Sequence, residues 1–203
     1  MNNETCLDFL RDSYKFKEDL DSFFGDRFLD KNIIELGTHF GYSAYFLSFY
    51  FKNVYTIERW EDCATKAREV NKDRSNVHII QGDLYEDNTW KDLINKEIDV
   101  AFIDADHSFQ AVIIDTINIM DKFKDIIIIY DDFGHVNEVN AAVNKLITDN
   151  KIKLISTIGH PKGTDIFKGT DRAGEILKDW EGVICKSNPR GSMIKTKGLF
   201  NDE

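Results

Sequence analysis

The sequence predicts an α/β fold, doubly wound around a mostly parallel sheet. Three observations carry this expectation. Short apolar runs alternate with helical segments along most of the 203 residues. The connections between them are short, which favours parallel strands with right-handed crossovers. The run Ile126–Tyr130 holds four isoleucines and is apolar on both faces, as a central strand covered by helices must be.

The elements follow in order. Residues 1–30 form an N-terminal helical segment, with Leu7, Leu10, Tyr14, Leu20, Phe23 and Phe24 at helical spacing. Aromatic side chains of this segment left in solvent would offer a homodimer contact. Asn32–Leu36 reads as a strand stopped at Gly37. Tyr42–Phe51 is an aromatic helix, apolar nearly all round and so expected to be buried. Val54–Ile57 is a strand ending at Glu58, Glu61–Asp73 a charged helix, Val77–Ile80 a strand and Asn88–Asn95 a short helix. Ile98–Ile103 is a strand ending at Asp104. Phe109–Phe123 is a helix, with Val112, Ile113, Thr116, Ile117 and Met120 on one face. After Ile126–Tyr130 comes a helix, Val136–Asp149, and then strands Lys153–Ile158 and Gly182–Lys186. Between these last two, Asp171–Trp180 is a weakly patterned helix candidate that contains Gly174. An antiparallel terminal pair and a crossover helix both remain open at this level. The polar, glycine-rich stretch 159–180 has the composition of a loop that covers a site. The whole chain, 1–203, reads as one domain.

Composition sets limits. A net charge of −10 argues against nucleic acid and against an anionic membrane as the main partner. Cys6, Cys63 and Cys185 are far apart and match no metal spacing, as expected of reduced thiols in a cytoplasmic protein. The N-terminus lacks the basic and apolar regions of a signal peptide, and no apolar run is long enough to span a bilayer.

In open α/β sheets, ligands sit beyond the carboxyl ends of the strands. Four such ends carry unusual residues here. The first, ELGTHFGYS, runs from Glu35 to Ser43. Gly37 and Gly41 allow close backbone approach, and Thr38, Tyr42 and Ser43 lead into the following helix. Its G-x-x-x-G spacing is not the dinucleotide fingerprint, which disfavours a nicotinamide-dependent dehydrogenase. Glu58 suits the two hydroxyls of a ribose. Arg59 or Trp60 can pack on an adenine face. Asp83, followed by Leu84, can accept from an adenine amino group. The third and fourth ends are DADH, Asp104 to His107, and YDDFGH, Tyr130 to His135. His39 and His135 receive no role.

In this order, the motifs resemble those of class I S-adenosylmethionine-dependent methyltransferases, over roughly residues 30 to 150. The resemblance implies a seven-stranded sheet with a reversed last hairpin and a cofactor over the first strand ends. DADH with YDDFG is similar to the metal-dependent O-methyltransferases of catechol, caffeoyl-CoA and macrolide-sugar type. That similarity implies a divalent cation, most simply Mg²⁺, on Asp104, Asp131 and Asp132. It also implies His107 as general base with Asp104 at the reacting centre, and Asp106 at the cofactor. Asp132 stands where the catechol and caffeoyl types usually carry Asn, which is closer to the sugar-modifying types. The implied acceptor is a small molecule with neighbouring oxygens, a sugar or a catechol-like diol. Two rivals accompany this reading: a metal-independent methyltransferase, and a nucleoside-binding module of the same fold without catalysis.

Overall fold

The computed structural model describes residues 13–188. Leu7 and Leu10 of the expected first helix, and the tail beyond residue 188, lie outside them. The chain runs α1 (Tyr14–Phe24), β1 (Asn32–Leu36), α2 (Tyr42–Leu47), β2 (Asn53–Glu58), α3 (Glu61–Val70) and β3 (Val77–Gln81). It continues with α4 (Asp87–Trp90), β4 (Val100–Ile103), α5 (Phe109–Lys122), β5 (Ile127–Tyr130), α6 (Asn137–Thr148), β6 (Ile152–Ile158) and β7 (Gly182–Ser187). The seven strands form one sheet in the order β3-β2-β1-β4-β5-β7-β6. β1 to β5 are parallel, and β7 pairs antiparallel with both β5 and β6.

Period-two alternation explains why the strands are apolar throughout. Ile34, Leu36, Ala101, Ile103, Ile128 and Tyr130 enter one core with α5, α6, Trp90 and Leu93. Ile33, Val100, Phe102 and Ile129 enter the other, with Phe16, Leu20 and Phe24 of α1 and Ala44, Phe46 and Leu47 of α2. Of the aromatics expected to form a dimer contact, Phe16 and Phe24 are therefore core residues, whereas Tyr14 is exposed.

Several boundaries differ from the sequence reading. α2 ends at Leu47, not Phe51, because the Asn76 side chain donates to the carbonyls of Ser48 (2.9 Å) and Phe51 (3.0 Å) and stops the turn there. β4 begins at Val100, after Asp99 has turned its carboxylate to the backbone N–H of Asn32 at 2.9 Å. Residues 171–180 form turns, not a helix, so β6 and β7 close as a hairpin without a crossover. The base of that connection is fixed by Glu181, 4% exposed, which accepts from Ser13 N (3.1 Å), Ser13 Oγ (2.6 Å) and His160 N (3.0 Å). Among the described residues no helix is long and apolar enough to cross a membrane.

Candidate active site

The order β1-β4 at the middle of the sheet marks the point where the chain reverses its winding direction, and a crevice opens there. A cleft of about 430 Å³ sits at that point. Its walls come from the ends of β1, β2, β3 and β4: Gly37 and His39, Ile57 to Trp60 with Cys63, Asp83 to Tyr85, and Asp104 to Asp106.

Gly37 is required for contact between two of these loops. It has φ +94°, and a Cβ there would stand 2.1 Å from the carbonyl oxygen of Asp104. No other residue lets the β1 and β4 tips touch. Gly41 does not line the cleft. Its Cβ would strike Asn71 Nδ2 at 2.6 Å and Ala67 Cβ at 2.9 Å, so it serves the packing of α2 on α3. Thr38, Tyr42 and Ser43 also stay out of the cleft wall. Thr38 is buried and shares a 2.5 Å hydroxyl bond with Thr56, which itself donates to Glu35.

Glu35 is wholly buried, and among the described residues its Oε1 has no hydrogen-bond partner. Burial pushes its pKa up to about 8, against the opposing hydrogen bonds of Ser43 and Thr56. Glu35 is therefore a neutral acid under the cleft floor at ordinary pH, not a group that faces a ligand.

Glu58 ends β2 with 6% of its surface exposed. Its Oε2 accepts from His39 N at 2.7 Å and its Oε1 from Trp60 N at 2.8 Å. Both oxygens are held in place, and each keeps a lone pair for a further donor. His39 reaches this position with φ +48°, a left-handed backbone that turns its N–H toward Glu58. Trp60 is 65% exposed at the rim, with Arg59 above its ring at 5.3 Å. Arg59 also pairs with Asp83 at 3.3 Å, and Asp83 accepts from Tyr85 N at 3.0 Å. Arg59 thus joins Trp60 to Asp83, where the sequence offered it as an alternative stacking surface.

Beyond Asp104 the cleft runs into an acidic cluster. His107 Nε2 lies 3.1 Å from Asp104 Oδ1 and 3.5 Å from Asp132 Oδ2. One ligand atom from each of these three residues falls within 4.8 Å of the others, as metal donors do. The sequence-derived trio of Asp104, Asp131 and Asp132 is not the group that assembles. Asp131 is buried, and its Oδ1 accepts from the N–H of Asp132 at 2.7 Å. That bond accompanies a left-handed turn at Asp132, φ +55°, next to its contact with His107. The chain has left the strand at this point, and Asp132, not Asp131, stands with Asp104 and His107. The hydrogen bond that His107 donates to the Asp104 carboxylate, then the charge of Asp132, raise the pKa of His107. Asp106 accepts from Ser108 N at 2.8 Å and lines the cleft wall.

Tyr85, Cys63 and His39 are cleft residues that the sequence reading left without a role. Tyr85 was legible as the second residue after Asp83 in a strand-end loop. His39 stands inside the glycine loop that ends β1, whereas Cys63 carries no local signal.

Residues 34–133 match the family model of a methyltransferase domain. No curated protein matches the chain. Among solved structures, the methyltransferase PaMTH1 of Podospora anserina, solved with S-adenosylhomocysteine, is 19% identical with TM-score 0.62, over 89% of this chain and 80% of that one. A candidate caffeoyl-CoA O-methyltransferase of Staphylococcus aureus is 19% identical with TM-score 0.59, over 93% and 85%. Fibrillarin of Aeropyrum pernix, with natively bound S-adenosyl-L-methionine, is 17% identical with TM-score 0.58, over 83% and 74%. Residues 34–133 match that domain model, and the described chain has the class I methyltransferase fold.

Proposed function

From that domain and fold, we propose that the chain transfers the methyl group of S-adenosylmethionine to an oxygen of a small hydroxylated acceptor, a sugar or a catechol-like diol. One observation carries this reading: Asp104 belongs both to the cleft wall and to the Asp104–His107–Asp132 cluster, so a nucleoside site and a proton-handling site share one residue.

The cleft residues fit the donor. Glu58, locked by two backbone N–H groups, has lone pairs for the ribose hydroxyls. Trp60 offers a face for the adenine, with Asp83 and Leu84 at its edge. Gly37 and the β1 turn meet the methionine part. The acidic walls suit a cation, and bound S-adenosylmethionine supplies a sulfonium carbon open to displacement.

The cluster fits a divalent cation, since two carboxylates and an imidazole converge where like charges would otherwise repel. Asp104 and Asp132 would hold it with His107 beside them, and Mg²⁺ there would acidify and orient an acceptor hydroxyl. The His107 imidazole takes the acceptor's proton, contributing on the order of 10²–10⁴ in rate. Asp104 and Asp132 orient that ring. The same geometry favours a second reading without metal, in which a protonated His107 balances the two acids.

Calorimetric titration with S-adenosylmethionine tests the donor. Micromolar binding is expected, and none at millimolar concentration would end the proposal. Activity on a panel of sugars and catechols, measured with and without EDTA, separates the two readings. Binding without turnover on the whole panel would leave only a nucleoside-binding module.

A further inference from the structure

α5 carries one acid in its buried stripe. Asp115 lies between Val112 and Ile119 on the core face, with 1% of its surface exposed. Among the described residues no donor reaches either carboxyl oxygen. A buried acid without a partner keeps its proton instead of standing as a bare charge. The charged neighbours have the wrong sign to change this: Asp106 on the β4–α5 loop and Asp83 on the β3–α4 loop both disfavour a carboxylate there. Tyr85, beside Asp83, and Tyr130 on β5 also feel the site, and both remain neutral phenols. The Tyr130 hydroxyl is engaged with Thr116 at 2.9 Å, and Arg59 is paired with Asp83. Burial and the two acids push the Asp115 pKa up to about 7.

The acids whose charges reach Asp115, Asp83 and Asp106, line the cleft, as does Tyr85, whose phenol feels Asp115 in turn. We propose that Asp115 is a proton-binding site coupled to the charge of the cleft ligand, releasing its proton when the sulfonium donor binds and keeping it when the uncharged thioether product binds. This rests on the cofactor reading above. Asp115 is already out of water, so a ligand cannot dehydrate it further and acts on it only through charge. A positive charge about 10 Å away, at an effective permittivity of about 20, lowers a carboxyl pKa by about one unit. On donor binding the carboxylic O–H breaks, the proton passes to solvent and the carboxylate remains. Methyl transfer removes the sulfonium charge, and the site is reprotonated. By linkage, the donor gains up to about tenfold in affinity over the product as pH rises through 7.

The test is calorimetry of the full chain at pH 6.5 with S-adenosylmethionine and with S-adenosylhomocysteine. Buffers of different ionisation enthalpy give the proton count, and Asp115→Asn is measured alongside. A one-unit shift predicts about half a proton more released by the wild type than by the variant on donor binding, with equal counts for the thioether. His107 and Glu35 are present in both proteins, so the difference isolates Asp115. Equal counts with the donor overturn the inference. Should Asp115→Asn not fold, infrared difference spectra of the wild type decide. Donor minus product must show loss of a protonated-carboxyl band, and no such loss overturns the inference equally. Absence of binding heat with both ligands would instead sink the cofactor reading, and this inference with it.

Discussion

Glu35 illustrates how a residue's chemistry follows from its surroundings more than from its motif. As an acid at a strand end it reads as a ligand contact, yet it is buried, neutral and bonded to Thr56. Its folded pKa, about 8, lies above the unfolded value near 4.5. The sign follows: stability is fully present below the unfolded value and is lost as pH rises through about 8. Glu35→Gln keeps the shape and removes that loss. Thermal melts from pH 5 to 9 are expected to fall less steeply for the variant, the difference reaching several kcal/mol at the alkaline end. At the acidic cluster, Asp104→Asn and Asp132→Asn are expected to weaken Mn²⁺ binding, measured by electron paramagnetic resonance, at least tenfold. Asp131→Asn should leave it within about twofold, because that carboxyl faces the backbone of its neighbour. If His107 acts as base without metal, the rate should rise with pH through an apparent pKa above the ordinary 6.5, since Asp104 and Asp132 hold its proton. His107→Gln should lose about 10²–10⁴ in kcat and that pH limb with it. The resemblance of DADH to the metal-dependent O-methyltransferases singles out His107 and Asp104, and the structure brings them together. Which of two adjacent aspartates joins them depends on a left-handed turn at Asp132 that nothing in YDDFG specifies.

At the scale of elements, strands were legible because their period-two apolar pattern is local, and helix ends were not because distant residues set them. Asn76 terminates α2 from 25 residues away, a contact that no window of sequence contains. α5 is the opposite case, since its Ser108 cap, accepting from Ala111 N at 3.3 Å, lies next to the apolar stripe it starts. Ser108→Ala is expected to cost about 1 kcal/mol, read from urea denaturation. The β6–β7 connection was read as a covering loop. Its return limb is packed onto Gly134, where a Cβ would meet Trp180 O at 2.4 Å and Asp179 O at 2.5 Å. Lys178 N also donates to Gly134 O at 2.7 Å. Gly134→Ala should therefore release that limb, seen as faster amide exchange at residues 177–181, with a stability loss of about 1–3 kcal/mol.

For the whole molecule, the reversal between β1 and β4 brings the chemistry together from four separate strand ends. The order of motifs along the chain made that topology readable by resemblance. The pairing of β5 with β7 instead of β6 was less so, because residues 171–180 lack the pattern that would have excluded a crossover helix. If the cleft holds S-adenosylmethionine, binding must stabilise the fold as a unit. At a hundred times Kd the expected gain is about 2.7 kcal/mol, a rise of roughly 5–11 °C in Tm by differential scanning calorimetry. An unchanged Tm at that concentration would mean that the folded chain does not bind the ligand in preference to the unfolded one.

The bare backbone at Gly37, pressed on the carbonyl of Asp104, has a consequence for how such a chain can diversify. It fixes the tip of β1 against the tip of β4, so the cleft and the acidic cluster cannot be reshaped independently. On the proposed reading, new acceptor preferences would arise away from this pair, in the exposed outer turns of the β6–β7 connection.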